Sequence, residues 1–215
     1  MTSPAPLAVA AWRREVHALY AAVRAEPDPA TAHAAWVAGR AGLFAAHPAS
    51  ARQPGQELRH AAYDPAFRFV VPVLPAPAEA WAPQTGSDGA VPFERIGRFE
   101  LPGLGSLDVW WLASYGGGVF VPLRDATAGP TTYGAGRYVL DTVKGADLGR
   151  VGEQPGSRAE GTDGAHEQGW VVDLNFAYNP SCAYDPAWAC PLAPAGNRTD
   201  VEVPVGEQHA GPWVG

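Results

Sequence analysis

In 215 residues the chain has one lysine (Lys144), one isoleucine (Ile96), one methionine and two cysteines. Acidic residues outnumber basic ones 22 to 15, for a formal charge of −7 and a pI near 5.3. Nucleic acid is therefore excluded as an expected partner, because phosphates call for a basic face. No stretch approaches the roughly 20 consecutive apolar residues of a membrane span, so no membrane partner is expected either. The opening segment MTSPAPLAVAAWRREV carries its arginines after its short apolar run, the reverse of a secretion signal. The expectation is a cytoplasmic protein, in which two cysteines normally stay reduced. Two cysteines also fall short of a four-thiolate zinc site, and completion by His166 or His209 is a weak option, so no metal is expected. The shortage of Lys and Ile beside abundant Ala, Gly, Pro, Val and Arg fits a GC-rich genome.

What is present is enough for a core, with 47% hydrophobic and 10% aromatic residues. A chain of this length buries roughly 70% of its unfolded surface. Over residues 7–25, Trp12, Val16, Leu19 and Val23 recur at helical spacing. Asp28-Pro29 then reads as an N-cap followed by a first-turn proline, opening a second helix with Trp36, Val37, Leu43 and Phe44 that His47-Pro48 ends. Beyond residue 50, short apolar runs broken by Gly and Pro predict strands at Phe67–Leu74, Phe93–Leu101, Leu107–Ala113, Gly118–Leu123, Arg137–Asp141, Trp170–Leu174 and Val201–Val205. Residues 75–90 and 144–169 read as low-order connectors, the second long enough for a lid or a disordered insertion. The fold class is α+β: N-terminal helices packed on a mostly antiparallel β-barrel or curled sheet. Residues 1–50 form the helical segment and 51–215 the β-rich part of a single structural domain, since about 45 residues rarely hold together alone.

Two segments concentrate the polar chemistry. In VPLRDATAGPTTYGAGRYVL (121–140), Asp125, Thr127, Thr131, Thr132, Tyr133 and Arg137 supply acceptors, donors and a cation within about a dozen positions. Arg137 suits two-pronged capture of a carboxylate or phosphate. GAGRY lacks the third glycine of a dinucleotide fingerprint and leads into a β-like run. The alternative is a turn whose Asp and Thr side chains satisfy their own backbone. In DLNFAYNPSCAYDPAWACPLAPAGN (173–197), Asp173, Asn175 and Asn179 alternate with apolar residues, as on a strand with one polar face. An Asp173–Arg137 ion pair is the structural explanation that competes with a ligand site.

Cys182 and Cys190 enclose seven residues. They read as a disulfide, a redox or nucleophilic thiol, or two small apolar groups packing the loop. No histidine falls in an HExxH pattern, and no GxSxG or Walker loop occurs. His17 and His33 sit on predicted helices and read as ordinary surface or edge residues, and His209 as part of a frayed tail. Trp110 and Trp111 face opposite ways on one strand, so one is core and the other a candidate cavity wall.

These segments, with VEVPVGE at 201–207, resemble the domain-of-unknown-function 1684 family of bacteria and archaea. The resemblance covers about residues 30–207 and places Asp125, Thr127, Thr132, Tyr133, Gly136, Arg137, Asp173, Asn175, Tyr178, Asn179, Cys182, Cys190, Asn197 and Glu207 on the family pattern. Leu174, Ala193 and Gly196 depart from it, standing for a phenylalanine, a proline and an often acidic residue. The resemblance implies no activity and no cofactor, but it joins the two polar segments into one constellation.

The sequence thus predicts a polar pocket where the 124–137 loop meets the 173–197 loop, binding a small polar or anionic metabolite, with turnover left open. Arg137 is the expected anion clamp, Asp125 or Asp173 the proton acceptor, and Thr132, Asn175 and Asn179 the orienting groups. Tyr133 and Trp111 are the expected walls. The alternative is a non-catalytic structural or interaction module whose Asp/Arg/Asn network and cysteine pair only fix the loops. The cofactor and the oligomeric state are left open.

Overall fold

The computed structural model describes residues 5–85, 89–151 and 169–209. Helix α1 (Pro6–Ala25) and helix α2 (Pro29–Ala46) lie where the periodicity puts them. Each opens with a proline, whose missing N–H would be unpaired there anyway. The Asp28 carboxylate caps α2 by accepting from Thr31 N at 2.8 Å. At the far end His47 turns extended, as a residue before proline must.

The remaining elements are β1 (Arg59–His60), β2 (Arg68–Val71), β3 (Ala80–Trp81), β4 (Gln84–Thr85), β5 (Gly89–Ala90), β6 (Phe93–Leu101), β7 (Gly105–Leu112), β8 (Val119–Leu123), β9 (Arg137–Asp141), β10 (Trp170–Asp173) and β11 (Glu207–Gln208). Five of them form one antiparallel sheet, ordered β3-β6-β7-β8-β9 and curled into a half-barrel. Three antiparallel ribbons, β2 with β10, β1 with β11 and β4 with β5, account for the other described strands. The class is α+β, with a half-barrel rather than a closed barrel.

One core fills the half-barrel with Phe99, Val109, Val121, Leu123, Leu140, Val172, Leu174 and Val203. A second joins helices to sheet: Tyr20, Val23 and Trp36 pack with Phe93, Trp110, Phe120, Tyr138 and Phe176. Burying each such ring stabilises the fold by about 2–3 kcal/mol, so the helices are fastened to the sheet by aromatic contact.

Three expectations change. Val201–Val205 makes no strand ladder, and the pairing comes two residues later, in β11. Asp173 ends β10, and Leu174–Phe176 turns into a 3₁₀ helix instead of continuing an alternating strand. Every residue from Trp170 to Pro180 is buried, so no face is left for a polar stripe. The connector at 75–90 carries three short strands, and Arg95 ties it down through Pro77 O at 2.8 Å and Glu79 at 2.9 Å. The lid or insertion expected at 144–169 falls largely on residues 152–168, outside the described residues.

Candidate functional site

The 124–137 loop is closed from within. The Asp125 Oδ2 atom accepts from Thr127 N at 3.1 Å, Thr127 Oγ1 at 2.5 Å and Val203 N at 2.9 Å. Thr127 Oγ1 lies 3.0 Å from Thr132 Oγ1, and Thr127 O accepts from the Thr131 and Thr132 amides. Gly136 then passes so close to β8 that an added Cβ would sit 2.7 Å from Leu123 O, at a φ of 100°. This approach delivers Arg137 to the start of β9 with its side chain pointing inward.

Arg137 is wholly enclosed, its side chain 0% exposed. Its Nη2 donates to Asp125 Oδ1 at 3.0 Å and Val203 O at 2.9 Å, and its Nη1 donates to Val205 O and, at 3.4 Å, Glu207 O. The space between the two predicted loops is thus occupied by the chain itself, as residues 203–207 thread between them. Gly206 makes this passage feasible, since a Cβ there would meet Ala177 O at 2.7 Å.

Glu207 anchors the same tail from the other side. Its Oε2 accepts from Arg40 Nη2 at 2.7 Å, Arg40 Nε at 3.1 Å and Asn179 N at 2.9 Å. Burial pushes this carboxyl above the usual range, while Arg40 opposes the rise. The Arg40 guanidinium lies over the rings of Phe44 at 4.5 Å and Tyr178 at 4.9 Å. Arg40 was overlooked in the sequence, although the signal was there: a cation at the 36, 40, 44 spacing of an apolar stripe can only be buried with a partner.

Asp173 and Asn175 belong to a separate cluster. Asp173 Oδ1 accepts from Asn175 N at 3.0 Å and Nδ2 at 2.7 Å, while Oδ2 accepts from Tyr63 Oη at 3.2 Å and pairs with Arg68 at 3.4 Å. The ion-pair partner of Asp173 is therefore Arg68, and that of Arg137 is Asp125, which replaces the Asp173–Arg137 pair considered from sequence. Burial, reinforced by Asp173, pushes the Tyr63 hydroxyl up to about 12. His33 is no surface residue: it is 5% exposed, its Nε2 lies 3.0 Å from Asn175 O, and burial lowers its pKa.

Of the expected site residues, Asp125, Thr132, Arg137 and Asn179 come together around the tail, whereas Asp173 and Asn175 close a different corner. Trp111, 41% exposed, stands on the opposite face of the sheet from buried Trp110. Trp110 Nε1 donates to Asn197 Oδ1 at 2.8 Å, and Asn197 Nδ2 donates to the carbonyls of Asp108 and Pro122. This asparagine pins its loop to the sheet. Two surface clefts, one lined by Arg24, Glu26 and Arg68 and the other by His47, Arg52 and Gln53, include none of the expected site residues.

Tyr133 instead faces the cysteines, its Oη donating to Cys182 Sγ at 3.8 Å. Cys182 and Cys190 are unbridged and half-buried. The neighbouring Cys182 thiol, helped by Lys144, lowers Cys190 below the ordinary thiol range, while Cys190 and burial push Cys182 up. Among the described residues, no group of three or more His, Cys, Asp or Glu gathers as metal ligands. His209, expected to fray, donates its backbone N–H to Thr131 O at 2.9 Å. His166 lies outside the described residues.

Fold and site together define an α+β half-barrel with the Asp125–Arg137 and Glu207–Arg40 pairs turned into its own core. A family model described as "Protein of unknown function (DUF1684)" matches residues 56–208, and the chain belongs to that family. No curated protein matches it. A solution NMR structure of an uncharacterized protein from Haloarcula marismortui is similar, at 26% identity and a TM-score of 0.51, covering 79% of this chain and 88% of that one. Position 196 has no room for a side chain: a Cβ there would lie 2.0 Å from Asp108 Oδ2, which Arg95 holds while Arg98 holds Oδ1.

Proposed function

We propose that the chain is a non-catalytic structural or interaction module, in which the Asp125–Arg137 and Glu207–Arg40 pairs fix the loops around the half-barrel. The enclosure of Arg137 carries this reading. Both of its terminal nitrogens are engaged with Asp125 and with main-chain carbonyls, so a metabolite anion would have to displace Asp125 to reach them. We place the protein in a bacterial or archaeal cytoplasm, a setting in which the unbridged Cys182 and Cys190 stay reduced.

The test is Arg137→Ala followed by urea unfolding. Removing one partner of a buried ion pair costs about 3–5 kcal/mol, and that loss is the expected result. A variant as stable as the parent would overturn the reading.

Capture of a small polar or anionic metabolite is the second reading, and one observation favours it. Arg137 Nε, Asn179 Oδ1 and Glu207 Oε1 are buried without a hydrogen-bond partner among the described residues, and they belong to Glu207 and to two residues hydrogen-bonded to it. Thermal shift with a panel of small carboxylates and phosphates separates the two readings. A rise in Tm for the parent that Arg137→Lys abolishes would favour the metabolite, and no shift would favour the module.

A further inference from the structure

The cleft beside the α1–α2 turn stands apart from the sealed charge network, and three distant stretches of chain build it. The last turn of α1 brings Arg24, the turn between the helices brings Glu26, and the β2–β10 ribbon brings Arg68 and Val171. Val23, Val171 and Phe176 supply apolar wall. Each arginine is fixed through one nitrogen. Arg24 Nη1 donates to Asp147 O at 2.8 Å, with the Asp147 carboxylate at 3.6 Å, and Arg68 Nη1 reaches Asp173 Oδ2 at 3.4 Å. Both ion-pair distances exceed the roughly 2.7–2.9 Å of a tight charge-assisted bond. The Nε and Nη2 atoms of both guanidinium groups make no hydrogen bond among the described residues. These side chains are 34% and 30% exposed, so a solute can reach them. Glu26 turns one oxygen back, its Oε1 accepting from Asp28 N at 3.0 Å, and Oε2 has no partner among the described residues.

We propose that this cleft binds the zwitterionic head of a small apolar amino acid, its carboxylate between Arg24 and Arg68 and its ammonium on Glu26. The charges of the site select this class. A lone anion such as phosphate would gain the two guanidinium groups but also face the carboxylates of Glu26, Asp147 and Asp173. A lone cation would gain Glu26 and face both arginines. A zwitterion brings a charge for each side, and the free guanidinium donors suit a planar carboxylate. Size narrows the choice further. The cleft holds about 70 Å³, the liquid share of roughly two water molecules. That admits a head group with a short side chain against Val171 and Phe176, and no sugar or nucleotide. None of Asp125, Arg137, Arg40 and Glu207 lines the cleft, so the assignment is independent of both readings of their network.

The measurement titrates the isotope-labelled full chain with L-alanine at constant ionic strength and follows the backbone amide NMR shifts. Saturating changes should centre on residues 24–29, 68 and 171, which border the cleft. Propionate lacks the ammonium and ethylamine lacks the carboxylate, so each should bind about tenfold more weakly, as losing a charged hydrogen bond does. Arg24→Gln keeps an amide donor for Asp147 O and should weaken alanine about tenfold. Glu26→Gln keeps an acceptor for Asp28 N and should weaken alanine but not propionate, a split that mere loosening of the helix turn would not produce. No saturable shift, equal affinity for alanine and propionate, or undiminished binding by Arg24→Gln would each overturn the proposal. Saturable shifts confined to the surroundings of Arg137 and Glu207 would overturn it as well, and would favour metabolite capture at the sealed network.

Discussion

The Arg137 region and the cysteine loop are built from adjoining parts of the chain, and they treat polar groups in opposite ways. Around Arg137 the charges are sealed, and both Asp125 oxygens and both terminal guanidinium nitrogens have partners of opposite sense. In the cysteine loop the two thiols are unbridged and half-exposed, and each shifts the ionisation of the other in the opposite sense. Burial of a matched pair yields a fixed geometry, whereas a half-open loop leaves its groups unequal in ionisation. Family membership alone does not separate the two, since residues of both regions lie within the matched span 56–208.

The comparison can be broken most forcefully at Arg40. Arg40→Ala removes the main counter-charge from Glu207 and should cost at least about 3 kcal/mol by urea unfolding, as losing half of a buried pair does. Glu207 already has a raised pKa, and without Arg40 it rises further. The unfolded carboxyl, with its ordinary value, ionises first as pH increases, so the folded state is penalised above that value. The deficit of Arg40→Ala should therefore shrink as pH falls towards about 4.5. A deficit independent of pH would mean that lost ring contacts, not the stranded carboxylate, set the cost.

A smaller effect is expected at His60, which packs edge-on against Trp36 at 5.1 Å and whose Nε2 is buried without a partner among the described residues. Burial lowers this imidazole to about 3. The unfolded chain accepts a proton from about pH 6.5 downward, while the folded chain refuses it until about pH 3. This contribution to stability is complete above pH 6.5 and drains away as pH falls from there towards 3. His60→Phe keeps a ring against Trp36 and should flatten stability against pH over that window, whereas an unchanged slope would acquit His60.

The sequence yielded those features that depend on local chemistry. Helix α2 was readable from Asp28-Pro29 and His47-Pro48, and strands β6 and β9 fall on their predicted bounds. The failures arose where tertiary contact decides. Period-2 alternation at 173–179 implied one polar face, but this segment is covered on every side, and its Asp and Asn bond one another and the Tyr63–Arg68 segment. Val201–Val205 has the composition of a strand, yet its carbonyls serve Arg137. The two polar segments do meet, but nothing local to either reveals that a third segment would lie between them.

That third segment has a consequence for biosynthesis. A nascent chain that has emerged only as far as residue 200 holds Arg137 and Asp125 but lacks the carbonyls of Val203, Val205 and Glu207 and the Val203 amide that complete their surroundings. At ribosomal speeds of roughly 5–20 residues per second, the half-barrel waits for its closing stretch before its central ion can leave water. Polypeptides halted at residue 200 should thus remain open to protease, whereas those extended through 209 should resist it. Equal resistance in both would show that the barrel shuts unaided.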